Sequence, residues 1–164
     1  MTPTPGRPER IISGGQTGVD RGALDAALEL GLDAGGFCPR GRRAEDGRIP
    51  DRYPLEELDS SDYRDRTRRN VEVSDATLIL CRGPLSGGTA LTRRIAEDLG
   101  RPLLIVDLST PPDPDSVRGW IHEQGIRTLN VAGPRESGSP GIQDAARRFL
   151  LEVFHTPPSG RHSA

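Results

Sequence analysis

The sequence contains no lysine, and all 22 of its basic residues are arginine. This excludes a Schiff-base lysine and the lysine of a P-loop, so a bound anion would have to contact arginine or backbone N–H groups. Aromatic residues make up only 4% of the chain. No apolar run approaches the roughly 18 residues of a membrane-spanning helix, and no early segment resembles the apolar core of a signal peptide.

Cysteine and histidine are also scarce. The two cysteines, Cys38 and Cys81, are far apart in sequence and do not form a disulfide framework, so we expect a protein of the reducing cytoplasm. The spacing of the three histidines resembles no metal site. The net charge of -2 gives no general attraction to nucleic acid or to membrane surfaces, so neither is an expected partner.

Short apolar segments alternate with amphipathic ones along most of the chain. The predicted strands are centred on residues 11–12, 33–38, 76–81, 103–106 and 129–132. The predicted helices are residues 19–30, 61–74, 88–99, 113–124 and 142–154. This alternation predicts an α/β fold, an open Rossmann-like sandwich of about five parallel strands flanked by helices. We expect one ligand-binding domain over residues 10–154, between a disordered arm at 1–9 and a disordered tail at 155–164.

Glycine-rich loops follow two of the predicted strands, and each precedes a helix. They are residues 13–18 and residues 83–89. Small residues let the backbone approach a ligand closely, and free N–H groups at the start of a helix can bind an anion. Either loop alone could simply join a strand to a helix. Two such loops at adjacent strand ends indicate one phosphate-bearing ligand contacted from two sides.

Charged side chains near the strand ends are further candidates. Asp20 is either a carboxylate favoured by the helix dipole or an acceptor for a ligand hydroxyl or ring N–H. Arg42 and Arg43, in a long loop over residues 39–59, either bind a phosphate or lie in solvent. The predicted ligand- and phosphate-binding residues are Gly14, Gly15, Gln16, Thr17, Gly18, Asp20, Arg42, Arg43, Ser86, Gly87, Gly88, Thr89 and Arg135. No catalytic residue and no metal ligand is assigned.

Five segments together resemble the family named putative molybdenum carrier proteins. This family is part of the wider group of lysine-decarboxylase-like, Rossmann-type nucleotide-binding proteins that includes the cytokinin-activating phosphoribohydrolases. The resemblance covers about residues 10–154. The segments that carry it are ISGGQTGVDRGALDAAL, CPRGRRAEDGRIPDRYPLEE, YRDRTRRNVEVSDATLIL, GGT and LNVAGPRES.

The resemblance implies a Rossmann-like fold, frequent homo-oligomerisation and a pocket for a phosphorylated small molecule. In true carriers that ligand is the molybdenum cofactor, a pterin that carries a phosphate, and in the wider group it is a nucleotide. Carried over to this sequence, residues 14–18 would form the phosphate loop and residues 86–89 the second loop.

One departure from the wider group bears on catalysis. The phosphoribohydrolases resemble one another in a motif P-G-G-x-G-T-x-x-E, whose glutamate acts in catalysis. Here Thr89 is followed by Ala90, Leu91 and Thr92, so that glutamate is missing. N-glycosidic cleavage needs a carboxylate, and its absence favours binding over hydrolysis. The alternative is a nucleotide-processing hydrolase that takes its carboxylate from another loop, with four candidates: Asp20, Glu45, Asp46 and Asp107.

Overall fold

The computed structural model describes residues 5–155. Of the two predicted terminal segments, residues 1–4 and 156–164 lie outside the described residues. Within the predicted arm, Gly6 and Pro8 are buried, and the Glu9 N–H donates to the Arg127 carbonyl oxygen at 2.9 Å. Residues 5–9 therefore lie against the domain.

The strands and helices follow one another largely as the alternating pattern predicts. The strands are β1 (Arg10–Ile12), β2 (Asp33–Gly35), β3 (Phe37–Cys38), β4 (Arg43–Ala44), β5 (Gly47–Arg48), β6 (Glu56–Glu57), β7 (Ala76–Cys81), β8 (Leu103–Asp107) and β9 (Thr128–Ala132). The helices are α1 (Val19–Leu30), α2 (Tyr63–Val73), α3 (Gly87–Asp98), α4 (Pro114–Glu123) and α5 (Ile142–Phe154), with a 3-10 turn at Glu136–Gly138. No helix among these is long and apolar enough to cross a membrane.

Five of the strands form a parallel sheet in the order β2-β1-β9-β7-β8. Every residue of β7 is buried, as expected for a central strand covered on both faces. The predicted α/β fold is therefore confirmed. The two glycine loops follow β1 and β7, but β9 lies between these strands, so the prediction of adjacent strand ends is wrong. Strand order depends on long-range pairing, which the spacing of apolar segments does not encode.

The predicted strand over residues 33–38 is divided into two at Gly36. Gly36 has φ of 125°, and a Cβ there would lie 2.2 Å from the Ser13 carbonyl oxygen. Glycine therefore lets the chain pass close to the end of β1 and leave the main sheet. Beyond this point β3 pairs with β6, and the long loop over residues 39–59 begins.

The helices cover the two faces of the sheet in separate groups. Helix α5 packs against α1 and α4, whereas α2 packs against α3. Strands β1 and β9 thus lead into helices of one group, whereas β7, the neighbour of β9, leads into a helix of the other. A crevice opens where neighbouring strands send their helices to opposite faces, and ligands of open α/β sheets bind in that crevice. Here it lies at the carboxyl ends of β1, β9 and β7.

Candidate functional site

A cavity of about 410 Å³ occupies this crevice. Eight of the predicted site residues line it: Gly14, Gln16, Asp20, Ser86, Gly87, Gly88, Thr89 and Arg135. Gly15, Thr17, Gly18, Arg42 and Arg43 do not. A second hollow of about 580 Å³, beside β1 and β3, contains none of the predicted site residues.

The second glycine loop presents the start of α3 to the cavity. The N–H groups of Thr89 and Ala90 donate to the Ser86 carbonyl oxygen, and the Ser86 side chain makes no capping hydrogen bond. Among the described residues, the N–H groups of Gly87 and Gly88 have no acceptor. A Cβ added at either glycine would meet no atom within 4 Å. Free N–H groups and open space at a helix N-terminus are suited to an anion.

The first glycine loop differs from the phosphate cradle that its sequence predicts. The Gly15 N–H donates to Ser13 Oγ at 3.4 Å, and the Thr17 N–H donates to Gln16 Oε1 at 3.1 Å. The Gln16 N–H donates to Asp20 Oδ2 at 3.1 Å. These three N–H groups are satisfied inside the protein, by the Ser13 hydroxyl, the Gln16 side chain and the Asp20 carboxylate, and are not left free for a phosphate. The sequence pattern of such a loop does not show whether its N–H groups donate to acceptors of the protein or to a bound anion.

Two glycines of this loop are needed for close packing of neighbouring loops. A Cβ on Gly15 would lie 2.4 Å from Leu55 Cδ1, and a Cβ on Gly18 would lie 2.3 Å from the Pro134 carbonyl oxygen. Both residues also have positive φ, 77° and 82°. Substituting Gly15 would therefore disturb the fold, so such a variant would not report specifically on a ligand.

Asp20 is a buried carboxylate in the wall of the cavity. Asp20 is 7% exposed, and its Oδ2 lies 3.5 Å from Arg66 Nη1. Burial raises the pKa of Asp20 from 3.8 to about 6, although Arg66 and the N–H groups of Gln16 and Gly14 oppose this shift. Desolvation of the carboxylate thus outweighs the favourable contacts that it makes.

The buried guanidinium of Arg66 was not predicted from the sequence. It lies on α2, lines the cavity and donates from Nη1 to the Gly14 carbonyl oxygen at 2.9 Å. Three guanidinium groups surround the Tyr63 ring, with Cζ to ring-centroid distances of 4.5 Å for Arg43, 5.4 Å for Arg66 and 5.5 Å for Arg135. The ring face attracts cations and concentrates positive charge beside the cavity.

The predicted guanidinium pair of Arg42 and Arg43 does not come together at the cavity. Arg42 is buried and donates to four backbone carbonyl oxygens of residues 49–55, at 2.7 to 3.5 Å. It thereby holds the long loop together. Arg43 lies over Tyr63 and donates to the Ser61 carbonyl oxygen at 3.1 Å. A run of arginines in a loop does not reveal which side chain turns inward. Here both guanidinium groups donate to backbone carbonyl oxygens and not to a ligand site.

Glu45, a candidate carboxylate of the hydrolase alternative, connects three loops. It accepts hydrogen bonds from Thr17 Oγ1 and Ser137 Oγ, and its own N–H donates to Gln16 Oε1 at 2.9 Å. Desolvation opposes ionisation, but the hydrogen bonds from Ser137 and Thr17 prevail and hold the pKa of Glu45 below its ordinary value. The Thr17 hydroxyl therefore joins the first glycine loop to the long loop of residues 39–59.

The other two candidate carboxylates are engaged in a similar way. Asp46 pairs with both terminal nitrogens of Arg21, at 2.7 and 2.8 Å. Asp107 accepts from the N–H groups of Ser109 and Gly83, at 2.8 and 3.3 Å. Among the described residues, Asp20 is the only acidic side chain that lines the cavity.

Further polar residues of the cavity escaped prediction. They are Arg66, Thr67, Asn70, Arg82, Thr92, Asn130 and Ser139. Asn130 is a polar residue in the apolar segment that forms β9. This interruption of the apolar pattern is a signal from which a site residue could have been predicted. Arg66 and Asn70 are four residues apart in a predicted helix and therefore share a face, although nothing in the charged segment distinguishes that face from the others.

The chain is similar to proteins of one described family. The family model of the circularly permutated YpsA SLOG family matches residues 11–154. A crystal structure of a putative molybdenum carrier protein from Syntrophus aciditrophicus SB is 45% identical, over 91% of this chain and 96% of that chain, with a TM-score of 0.86. No curated protein matches the chain significantly.

Proposed function

Because the chain belongs to the circularly permutated YpsA SLOG family, we propose that it is a binding or carrier protein for a phosphorylated small molecule. The molybdenum cofactor is the candidate cargo, and a nucleotide is the other ligand of suitable chemistry. The name of the similar crystal structure, a molybdenum carrier protein, supports a carrier role. The residues that line the cavity support the proposal that the ligand carries a phosphate.

The start of α3 is the observation that carries this proposal. In the part of the chain that the structure describes, the N–H groups of Gly87 and Gly88 are free and face open space at the positive end of a helix dipole. Among residues 5–155, three guanidinium groups line the same cavity, from Arg66, Arg82 and Arg135, and the only carboxylate that lines it is that of Asp20. The cavity therefore favours an anion, and arginine provides the planar donors that suit a phosphate.

The size and lining of the cavity fit a small organic phosphate. Its volume of about 410 Å³ is in the usual range for small-molecule sites. Within residues 5–155, no group of three or more His, Cys, Asp or Glu side chains is arranged to hold a metal ion.

The position of the missing catalytic glutamate favours binding over hydrolysis. Thr92 stands there, and its hydroxyl donates to the Gly88 carbonyl oxygen at 2.9 Å. A threonine cannot act as a general acid or base near neutral pH. Asp20 is the remaining carboxylate at the cavity, and it already accepts from Gln16 and pairs with Arg66.

Equilibrium titration with inosine 5′-monophosphate (IMP) and with inosine tests this proposal. We expect IMP to bind at least about 100-fold more tightly than inosine, because only IMP offers a phosphate to α3 and the arginines. Arg135→Gln should weaken IMP binding by about tenfold and leave inosine binding unchanged. Arg148→Gln is the control, since Arg148 lies on α5 and does not line the cavity. Equal affinities for IMP and inosine would refute a phosphate site.

A further inference from the structure

The hydrogen bonds of Gln16 fix the orientation of its side-chain amide. One atom of the amide accepts from two backbone N–H groups, of Thr17 at 3.1 Å and of Glu45 at 2.9 Å. Backbone N–H groups only donate, so this atom must be the oxygen Oε1. The amide nitrogen Nε2 therefore lies on the opposite side and can only donate.

The Nε2 donor of Gln16 is buried without a partner. Gln16 is 5% exposed, and Nε2 has no hydrogen-bond acceptor among the described residues. Buried donors are nearly always paired in folded proteins, and an unpaired one calls for a reason. Gln16 lines the cavity, so a ligand there can supply the missing acceptor.

The Asp20 carboxylate is the neighbouring acceptor in the same wall. Its Oδ2 lies 3.1 Å from the backbone nitrogen of Gln16, and both side chains line the cavity. A carboxylate has about four lone-pair positions, so it can accept from a ligand in addition to its internal donors. Burial raises its pKa only to about 6, which keeps it ionised above neutral pH.

We infer that Gln16 and Asp20 together recognise a cis-amide edge on the ring of the ligand, with a C=O group accepting from Gln16 Nε2 and the adjacent N–H donating to Asp20. This inference rests on the proposed phosphate site, which binds the other end of the same molecule. Pterin, guanine and hypoxanthine rings carry such an edge. Adenine carries the reverse arrangement, a ring nitrogen that accepts beside an amino group that donates.

Comparison of IMP with adenosine 5′-monophosphate (AMP) tests the inference. The two nucleotides share ribose and phosphate, so the ratio of their affinities reports on the ring edge alone. We expect the wild type to bind IMP at least about tenfold more tightly than AMP. With AMP, the polar groups of Gln16 and Asp20 would lack matching partners, which lowers affinity strongly. In Gln16→Glu, Oε1 still accepts from Thr17 and Glu45, but the Nε2 donor becomes an acceptor. This variant should lower the ratio at least about tenfold.

Gln124→Glu is the matched control, since the exposed Gln124 undergoes the same change of charge outside the cavity. It should keep the wild-type ratio, and thermal unfolding should show that both variants are folded. Equal binding of IMP and AMP by the wild type would overturn the inference and leave the phosphate site intact. A Gln16→Glu variant that keeps the preference would also overturn it. If neither nucleotide binds, the inference and the proposed function both fail.

Discussion

Gly88→Asp is expected to weaken IMP binding at least about 100-fold, because it places a negative charge at the start of α3, where the phosphate is proposed to bind. A Cβ at Gly88 meets no atom within 4 Å, so the fold has room for the new side chain. An acidic residue in the first turn also stabilises a helix. Replacing a glycine within a helix lowers the entropy that the backbone loses on folding. The melting temperature should therefore stay the same or rise.

Gly119→Asp is the matched control for this variant. Gly119 lies within α4, a Cβ there also meets open space, and the residue does not line the cavity. This variant has the same added charge and should bind IMP like the wild type. If Gly88→Asp binds IMP normally while remaining folded, the phosphate does not lie at α3.

Asp20→Asn is expected to change the pH dependence of the free energy of unfolding. Because burial raises the pKa of Asp20 from 3.8 to about 6, ionising it costs about 3 kcal/mol more in the folded state than in the unfolded chain. The stability that Asp20 contributes is complete below its unfolded pKa and is lost as pH rises through about 6. The asparagine variant cannot undergo this loss.

Urea unfolding of both proteins at a series of pH values measures the effect. The free energy of unfolding of the variant minus that of the wild type should increase by up to about 3 kcal/mol between about pH 4 and about pH 7.5. The pKa of about 6 already includes the attraction of Arg66, and effects of the substitution that do not depend on ionisation shift the difference equally at every pH, so the trend with pH is the informative quantity. Asp98→Asn, at an exposed position, controls for the loss of one carboxylate. A difference that does not vary with pH would contradict a desolvated Asp20.

The fold could be predicted from the sequence because its helices and strands are locally encoded. Helix α1 has the predicted bounds, and β7 matches the predicted strand of residues 76–81. Apolar spacing and turn residues fix such elements within a few positions. The place of β9 between β1 and β7 depends on contacts across the whole chain, so the order of strands was not predictable in the same way.

The candidate site was predicted only in part, since its polar contacts are decided by which side chains turn inward. The second glycine loop lines the cavity as the sequence indicates. The N–H groups of the first loop donate to internal acceptors, among them Asp20, and Arg42 donates to backbone carbonyl oxygens of the long loop. Arg66 lines the cavity from α2, a helix that packs against α3 and β3, and no local pattern in its charged sequence indicates this placement.

Native mass spectrometry of the protein purified from its own host, combined with phosphorus and molybdenum analysis, tests the central claim most directly. The wild type should carry a non-covalently bound small molecule that contains phosphorus, and molybdenum as well if the cargo is the molybdenum cofactor. Gly88→Asp should lose this molecule, and Gly119→Asp should retain it. Wild-type protein that carries no phosphorus compound, or Gly88→Asp that carries as much as the wild type, would contradict the account.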